Sequence, residues 1–408
     1  MNVRLNAKEI NLNSKIEITG SKSETNRLLL LKALYPNIVI ENASNSDDSE
    51  VMNSALTANH IIDVHHAGTA MRFLTAYFAS QENKTVTLTG SSRMKERPIK
   101  ILVDALIQLG AKIEYLENDG FPPIKISGQK LNSCRVSLPA NVSSQYISAL
   151  LLIAPSLQNG LELELIGEIT SIPYINMTLK LLNEINVETT FVNNKIVVKP
   201  LDQDPKSKTL IVESDWSSAS YFYSIIALSK AGTQIELSNF KENSLQGDAI
   251  LATIYEQMGV ETHFNDGKIT LVKTQNSIKQ NIVLDLNSAP DIAQTIAVTA
   301  FGLGIGCQLT GLHTLKIKET DRLEALQIEL SKLGAPISVT NDSLKIEPSK
   351  SINSNQNIAT YNDHRMAMAF APLGMKIPLE ILDADVVTKS YRNFWKDLQK
   401  IGFQINKV

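Results

Sequence analysis

Several basic side chains lie at or near the predicted start of a helix, where the positive end of the helix dipole makes a cation unfavourable. A single segment of this kind, such as the run "RMKER", could be a solvated charged surface, but the pattern recurs in six segments. Free N–H groups at a helix start form, together with a nearby cation, a binding site for an anion. The pattern therefore indicates sites for phosphate or carboxylate groups. The cations concerned are Lys22, Arg27, Arg72, Arg93, Lys318, Arg322, Arg365 and Lys389.

Two carboxylic acids close to these cations are candidates for acid–base chemistry. Glu319 lies between Lys318 and Arg322, and Asp291 begins a predicted helix after "LNSAP". Each has an ordinary alternative. Glu319 and Arg322 have the spacing of a surface ion pair worth about 0.2–0.5 kcal/mol, and Asp291, like Asp363, could simply cap its helix. Burial would raise the pKa of Glu319 and the neighbouring cations would lower it, so the sequence leaves its protonation state open.

A repeat of 74 residues organises the helices that carry these side chains. After each polar start the predicted helix is apolar on nearly all sides, which is typical of a buried helix. A second series of Gly and Asn residues ends other helices at intervals of 76, 73, 75 and 68 residues, as expected of left-handed caps. The polar starts are Thr69, Ser143, Ser217, Asp291 and Arg365, and the caps are Gly110, Asn186, Gly259, Gly334 and Gly402.

The first repeat is shorter than the others. Its motif begins at Gly20, and Ser21 precedes Thr69 by 48 residues rather than 74. We interpret the difference as a β-hairpin that is missing between Asn59 and His66. The chain then contains six α/β units, each with two helices and several short strands. A solenoid would repeat its scaffold residues, whereas these motifs are charged and irregular, so two domains of three units each are the preferred arrangement.

The composition limits the other classes of function. The chain has 408 residues and a net charge of −3, which gives no support for nucleic-acid binding. Its 43% of hydrophobic residues agrees with a globular protein. Cys134 and Cys307 lie far apart in apolar runs, so neither a disulfide framework nor a zinc cluster is expected. There is neither an apolar signal core in "MNVRLNAKEI" nor a run of about 18 apolar residues. We therefore expect a cytoplasmic protein without a membrane partner.

Eight motifs connect the chain with a known family, and in order they read "GSKSETNR", "HAGTAMR", "SSRMKERP", "SSQY", "SDWSSASY", "KETDRL", "NDHRMAMAF" and "TKSYRNFW". Over nearly the whole chain they resemble the motifs of the 5-enolpyruvylshikimate-3-phosphate synthase family, and "KETDR" and "NDHRMAM" are the most specific. The resemblance implies an α/β fold of two similar domains, each an inside-out α/β barrel of three repeat units with buried parallel helices. It also implies helix N-termini that face an interdomain cleft, a monomer, and domains at residues 21–213 and at residues 1–20 plus 214–408.

The resemblance further implies a reaction. The family transfers the enolpyruvyl group of phosphoenolpyruvate to the 5-hydroxyl of shikimate 3-phosphate, through a tetrahedral intermediate, and releases phosphate. This chemistry requires an acid, a base and dense positive charge, but neither a metal nor an organic cofactor. By this resemblance Asp291 would take the hydroxyl proton, Glu319 would protonate the methylene carbon, and Lys22 would assist proton transfer and the departure of phosphate.

The same resemblance assigns binding residues to both small-molecule substrates. Gly68 would let the backbone at a helix start approach the donor closely, because it lacks a Cβ. Phosphoenolpyruvate would be bound by Lys22, Gly68, Arg93, Arg322, Arg365 and Lys389, with His66, Thr69 and Arg72 as neighbours of the donor site. Shikimate 3-phosphate would be bound by Ser23, Arg27, Ser143, Ser144, Gln145, Ser171, Tyr174, Asp291 and Lys318.

One motif departs from the family pattern. His66 stands where the family usually has Asn, and Phe73 stands where it usually has Pro. A neutral His66 could donate a hydrogen bond as Asn does, whereas a protonated His66 would add charge beside the donor. A metal site at His65 and His66 is disfavoured, because adjacent histidines rarely point the same way and no third ligand accompanies them.

Three other functions compete with this interpretation. The UDP-N-acetylglucosamine enolpyruvyl transferase family shares the fold and the donor, but it has Asn where Ser23 stands and usually a reactive Cys in the loop that here reads "TGSSR". RNA 3′-phosphate cyclases are related in fold, but their covalent His motif is not recognisable in this chain. A non-catalytic protein that binds phosphorylated ligands would not need Asp291, Glu319 and Lys22 together.

Overall fold

Short strands and helices alternate along the chain in the computed structural model, which describes residues 1–11, 13–140, 143–169, 172–201, 205–275 and 278–408. Of the residues assigned above, Ser171 lies outside the described residues. No helix within these ranges is both long and apolar enough to span a membrane.

The strands are short, and in many of them buried and exposed side chains alternate, as expected where one face of a sheet is covered. In chain order they are β1 (Val3–Asn6), β2 (Ser14–Ile16), β3 (Ile38–Glu41), β4 (His60–Asp63), β5 (Thr85–Thr89), β6 (Lys112–Tyr115), β7 (Ile124–Ser127), β8 (Arg135–Pro139), β9 (Leu161–Ile166), β10 (Thr189–Val192), β11 (Lys195–Val198), β12 (Lys208–Ile211), β13 (Gln234–Ser238), β14 (Val260–Asn265), β15 (Lys268–Lys273), β16 (Asn281–Asp285), β17 (Gly306–Thr310), β18 (Ile337–Val339), β19 (Leu344–Ile346), β20 (Asn357–Ile358), β21 (Leu379–Ile381) and β22 (Gln404–Lys407).

The α-helices of the described ranges are α1 (Lys22–Leu34), α2 (Asp47–Thr57), α3 (Gly68–Ala79), α4 (Ser92–Lys95), α5 (Lys100–Gln108), α6 (Ser144–Ile153), α7 (Ile172–Glu184), α8 (Trp216–Leu228), α9 (Leu251–Glu256), α10 (Ala293–Leu303), α11 (Arg322–Lys332), α12 (His364–Phe370) and α13 (Phe394–Lys400). Short 3₁₀ helices span Ala154–Ser156, Gly247–Ile250, Pro290–Ile292, His313–Ile317, Ala371–Met375 and Ala384–Lys389.

The chain divides into two compact units, one formed by residues 20–212 and the other by residues 1–19 with 213–408. These boundaries lie within one residue of the expected ones. In the unit of residues 20–212, the helices α1, α3 and α6 pack against one another. All residues of α3 except Thr69 are buried, which explains why its sequence is apolar on nearly all sides. The sheets of this unit have the strand orders β4-β5-β7-β6, β10-β11-β9-β8 and β12-β3.

The unit of residues 1–19 and 213–408 has the same plan. Helix α10 packs against both α8 and α12, and the sheets have the strand orders β20-β21-β1-β22, β14-β15-β13-β2 and β16-β17-β19-β18. Every residue of α12 is buried, and so is every residue of α8 except Ser217. The mixed α/β fold predicted from the sequence is confirmed, with its most apolar helices inside and its sheets made of short strands.

One sheet is smaller than the rest. In five sheets a parallel pair of strands is extended by two antiparallel strands, but the sheet of β3 and β12 has only the parallel pair within the described residues. It belongs to the first repeat, whose missing hairpin stays an interpretation. Within the expected interval, Asn59 to His66, the residues His60–Asp63 form β4, which pairs in parallel with β5 and leads into α3, so only the start of that interval is left for the hairpin. Any missing segment belongs instead between Thr57, where α2 ends, and His60.

The helix starts follow the 74-residue register closely. Helix α3 begins one residue before Thr69, α6 one residue after Ser143, α8 one residue before Ser217, and α12 one residue before Arg365. Asp291 lies in the 3₁₀ helix that leads directly into α10. The repeated polar positions are therefore brought to equivalent helix starts by the fold.

Candidate active site

Asp291 lies at the centre of a charged cluster in the unit of residues 1–19 and 213–408. Its Oδ1 is 3.0 Å from Nη1 of Arg322 and 3.6 Å from Nζ of Lys318, and its Oδ2 is 3.0 Å from Nη2 of Arg365. Burial alone would raise the pKa of the Asp291 carboxyl, but Arg365, Lys318 and Arg322 together hold it well below its ordinary value. Asp291 is therefore a carboxylate bound by three cations. It is not a capping residue, since no side chain caps its 3₁₀ helix.

Arg322, the first residue of α11, connects three carboxylates. Its Nε is 2.6 Å from Oδ2 of Asp363, its Nη1 contacts Asp291, and its Nη2 is 2.8 Å from Oε2 of Glu319. The side chain of Arg322 is 2% exposed and that of Glu319 is 17% exposed, so the two form a buried contact and not a surface ion pair. Burial would lower the pKa of Arg322, but Asp363, Glu319 and Asp291 raise it above its ordinary value. Arg322 thus remains a cation while it holds both acid–base candidates.

Aspartates cap the two helices whose first residues enter this cluster. Asp321 accepts hydrogen bonds from two backbone N–H groups of α11, and Asp363 accepts one from the backbone N–H of Arg365. Asp363 is therefore the N-cap of α12, and its second oxygen also binds Arg322. These caps fix the points from which both arginines leave their helices.

Two lysines lie at the edge of the cluster. Burial lowers the pKa of Lys318, and the net shift stays downward although Asp291 raises it. Lys389 donates a hydrogen bond from Nζ to the backbone carbonyl of Asn362, at 2.6 Å. Lys389 does not lie at the start of α13, where the sequence placed it. It is the last residue of the preceding 3₁₀ helix, because the backbone of Ser390 leaves the helical conformation, and α13 starts only at Phe394.

Asp248 and Ser217 form a part of the cluster that sequence reasoning missed. The Ser217 hydroxyl donates a hydrogen bond to Oδ2 of Asp248 and accepts one from Nη2 of Arg365 at 3.3 Å. Oδ1 of Asp248 is buried and has no hydrogen-bond partner among the described residues. Burial first, and then the charges of Asp291 and Asp215, raise the pKa of Asp248 to about 7. The only signal in the sequence was the place of Ser217 in the 74-residue register, since no cation lies beside either residue.

Lys22 is the first residue of α1 in the unit of residues 20–212. The N-cap of this helix is Ser21, whose side chain accepts a hydrogen bond from the backbone N–H of Glu24. Nζ of Lys22 is 3.0 Å from Oδ2 of Asp48, which lies on α2. Both side chains are largely buried. A carboxylate thus fixes this lysine at a helix start, a contact that its sequence surroundings did not reveal.

Arg27 is almost completely buried one turn further along α1. Its guanidinium donates hydrogen bonds to the hydroxyls of Thr178 and Ser148, at 2.8 and 2.9 Å, and to the backbone carbonyl of Ser23, at 2.7 Å. It also lies 5.8 Å from the centre of the Tyr174 ring. Burial lowers the pKa of Arg27 to about 10. The structure therefore places the Arg27 guanidinium against the backbone of Ser23 and beside the ring of Tyr174.

Gly68 begins α3 against a guanidinium group. A Cβ at this position would lie 2.7 Å from Nη1 of Arg97, so any other residue would displace that side chain. Arg72, one turn later, donates hydrogen bonds to the backbone carbonyls of Gly68 and Pro98, at 3.2 and 3.1 Å. The guanidinium of Arg72 thus connects the start of α3 to the segment that precedes α5.

Two contacts connect the starts of α3 and α6 with their surroundings. Nε2 of Gln145 donates a hydrogen bond to the Thr69 hydroxyl at 3.1 Å, and Ser143 caps α6 by accepting a hydrogen bond from the Gln145 backbone N–H. Ser144, the first residue of α6, is buried.

Nδ1 of His66 lies 3.0 Å from Oγ of Ser91, and the hydrogen can belong to either partner. His66 is therefore hydrogen-bonded to the N-cap of α4, the short helix that carries Arg93.

Arg93 does not lie directly before α5, as its motif suggested. It belongs to the short helix α4, whose N-cap is Ser91, and α5 begins only at Lys100. Nη1 of Arg93 is 3.0 Å from Oε2 of Glu96, and both side chains are substantially exposed.

Throughout the described ranges, no group of three or more His, Cys, Asp or Glu side chains has the arrangement of a metal site.

Solved structures identify the fold of this chain. The chain superimposes on an EPSP synthase from Acinetobacter baumannii with a TM-score of 0.78 and 20% identity, over 100% of both chains. It also superimposes on the enolpyruvyl transferase NikO from Streptomyces tendae with a TM-score of 0.75 and 14% identity, over 99% of this chain and 98% of that one. The fold is that of the enolpyruvyl transferases.

Sequence similarity identifies the particular family. The family model described as EPSP synthase (3-phosphoshikimate 1-carboxyvinyltransferase) matches residues 53–398. A 3-phosphoshikimate 1-carboxyvinyltransferase of Bacteroides fragilis (strain YCH46) is 45% identical over 400 residues, which cover 97% of this chain and 96% of the relative. The chain belongs to the EPSP synthase family.

Proposed function

We propose that this chain transfers the enolpyruvyl group of phosphoenolpyruvate to the 5-hydroxyl of shikimate 3-phosphate and releases inorganic phosphate, in the synthesis of aromatic compounds. The observation that carries the proposal is the shared contact of Asp291 and Glu319 with the buried guanidinium of Arg322. One cation thereby holds two carboxyl groups beside Lys318 and Arg365. Such a group of acids within dense positive charge suits a reaction between two anionic substrates.

In the proposed addition step, Glu319 in its protonated form gives a proton to the methylene carbon of the donor, and C2 becomes cationic. The 5-hydroxyl oxygen forms a bond to C2 while Asp291 takes its proton. In the elimination step, Glu319 takes a proton back from the new methyl group, the bond between C2 and the phosphate oxygen breaks, and the proton held by Asp291 leaves with the phosphate, so both carboxyl groups return to their starting forms. Each acid–base step of this kind contributes about 10²–10⁴-fold to the rate.

The remaining assignments follow the contacts within each unit. We propose that the donor's phosphate and carboxylate are bound by Lys22, Arg93, Arg322, Arg365 and Lys389, with the backbone of Gly68. For shikimate 3-phosphate we propose Ser23, Arg27, Ser143, Ser144, Gln145, Tyr174, Asp291 and Lys318. The position of the Arg27 guanidinium beside the Tyr174 ring, and the hydrogen bond between Gln145 and Thr69, support these assignments. Arg72 is better explained as a support for the start of α3, since its guanidinium binds two backbone carbonyls.

Glu319→Gln tests the proposed acid. The variant should bind both substrates but release phosphate at least about 100-fold more slowly, because the amide cannot give a proton to carbon. Initial rates of phosphate release with phosphoenolpyruvate and shikimate 3-phosphate measure the effect. The matched control is Glu324→Gln, an exposed position in the first turn of α11. A rate within tenfold of the parent would contradict the assignment.

The acceptor is tested by the same assay. UDP-N-acetylglucosamine in place of shikimate 3-phosphate should give no phosphate release above background. Turnover with it would instead assign to the chain the reaction of the UDP-N-acetylglucosamine enolpyruvyl transferases. The monomeric state and the cytoplasmic location stay predictions, and sedimentation of the purified chain measures the first.

A further inference from the structure

Glu329 is a completely buried carboxylate that the reaction does not use. It lies near the end of α11, seven residues after Arg322, and both of its oxygens are occupied. Oε1 accepts a hydrogen bond from the hydroxyl of Tyr361 at 2.6 Å, and Oε2 accepts one from the backbone N–H of Ala359 at 3.2 Å. Nζ of Lys332 is 2.8 Å from each oxygen. A buried carboxylate with this many partners is costly to leave unpaired, so it fixes the segment that it binds.

The segment bound by Glu329 connects β20 with α12 and has an unfavourable backbone conformation. Tyr361 and Asn362 are consecutive residues with φ values of 54° and 55°. A residue such as Tyr361 is strained in the left-handed region, and such a conformation persists only where its surroundings determine it. The hydroxyl of Tyr361 is held at one side of this turn by Glu329, and the backbone N–H of Asp363 donates a hydrogen bond to the carbonyl of Thr360 at the other.

This turn sets the positions of three cations of the proposed donor site. The carbonyl of Asn362, which its left-handed conformation orients, accepts the hydrogen bond from Lys389. The next residue, Asp363, binds the side chain of Arg322 and the backbone N–H of Arg365. Glu329 therefore connects the helix that begins with Arg322 to the turn that holds the other two cations.

We infer that Glu329 is a positioning residue for the donor: by fixing the turn of residues 359–362 to α11, it holds Arg322, Arg365 and Lys389 in the arrangement that binds the donor's anionic groups. The inference rests on the proposed function for the identity of the donor. Glu329 touches no reacting atom in this scheme, and its effect is transmitted through Asn362 and Asp363.

Glu329→Gln tests the inference with little change in shape. An amide presents one acceptor and one donor, so its oxygen can accept from the Ala359 N–H while its NH₂ group donates to the Tyr361 oxygen; the charge-assisted hydrogen bond that Tyr361 donated to the carboxylate is then lost. We expect the KM for phosphoenolpyruvate to rise about tenfold, the effect of one lost charge-assisted hydrogen bond, and the KM for shikimate 3-phosphate to change less than about twofold. Glu324→Gln on the exposed face of the same helix should change neither constant.

Tyr361→Phe is the second variant and keeps Glu329 with Lys332. It should raise the donor KM in the same direction, and it carries the test if Glu329→Gln does not fold. A purely structural role of Glu329 would lower the melting temperature and the amount of active protein but would leave both KM values unchanged. Donor KM values within about twofold of the parent in both variants would overturn the inference.

A binding measurement separates this inference from the proposed function. Inorganic phosphate should raise the melting temperature of the parent by binding to the native cations, and the rise at one fixed phosphate concentration should be smaller in Glu329→Gln. If the parent releases no phosphate from the proposed substrates, the proposed function fails, and the difference in phosphate-induced stabilisation decides the inference alone. An equal rise in parent and variant would overturn it.

Discussion

Replacing Asp248 with asparagine should stabilise the unit of residues 1–19 and 213–408, and should do so most strongly above neutral pH. The carboxyl is buried, one of its oxygens has no partner among the described residues, and its pKa is raised to about 7 by burial and by Asp291. In the unfolded chain the same group has a pKa of about 3.9. Asparagine keeps an acceptor for the Ser217 hydroxyl but never becomes an anion.

The sign and size of the effect follow from proton linkage. Between pH of about 4 and 7 the native state holds a proton that the unfolded state has lost, so the parent's free energy of unfolding falls as pH rises through this range. The stability is fully present below the unfolded pKa and lost once pH exceeds the folded pKa. With these two pKa values the loss between pH 5 and pH 8 is about 2–3 kcal/mol. Asp291, whose pKa is lowered, acts only at more acidic pH and in the opposite direction.

Tryptophan fluorescence can follow this unit selectively. The chain contains two tryptophans, Trp216 and Trp395, and both belong to the unit of residues 1–19 and 213–408. Urea unfolding at pH 5 and pH 8 should show that Asp248→Asn gains about 2–3 kcal/mol over the parent between the two conditions. Asp342→Asn, at an exposed turn, serves as the control. A gain below about 0.5 kcal/mol would refute a buried carboxyl that titrates near neutrality.

Two further results are expected. Asp48→Asn should lower the rate of phosphate release about tenfold, because Lys22 loses the carboxylate that lies 3.0 Å from its Nζ. Glu50→Gln, at an exposed position on the same helix, is the control. An unchanged rate in Asp48→Asn would mean that the ion pair does not position Lys22. If protonated His66 contributes charge to the donor site, the parent's KM for phosphoenolpyruvate should rise between pH of about 6 and 8, and His66→Asn should flatten that profile. A flat parent profile, or one that persists in the variant, would contradict this role.

The positions of the helix starts could be read from the sequence because two signals coincide there. A polar residue and the apolar stretch after it recur every 74 residues, and the fold places each pair at the start of a buried helix. The contacts of Asp48 and Asp248 could not be read in the same way. Lys22 meets a carboxylate 26 residues away, and Ser217 meets one 31 residues away, on elements whose orientation only the packed helices define.

The cations show a different limit of sequence reasoning. Arg72 and Arg322 both lie near a helix start, and from the sequence alone they are equivalent candidates for anion binding. In the structure Arg72 donates to backbone carbonyls, whereas Arg322 binds three carboxylates. A guanidinium has five donors and satisfies them with whichever acceptors the fold brings near. Its position in the sequence identifies a place where an anion can bind, but the neighbouring acceptors decide whether the group serves a ligand or the scaffold.

The balance of charge around Arg322 bears on the question that the sequence left open, how Glu319 becomes an acid. Three cations, Lys318, Arg322 and Arg365, face three carboxylates, those of Asp291, Glu319 and Asp363, so the charges of these six side chains balance one another. On the proposed mechanism the donor adds a phosphate and a carboxylate and draws Arg322 towards itself. Asp363 keeps its hydrogen bond to the start of α12, and Asp291 keeps its ion pairs with Lys318 and Arg365. Glu319, in contrast, loses part of its interaction with Arg322, the cation that favours its anionic form. Proton uptake by Glu319 then offsets part of the negative charge that the donor brings and creates the acid that the addition step requires, so the binding of the donor itself would prepare the catalyst.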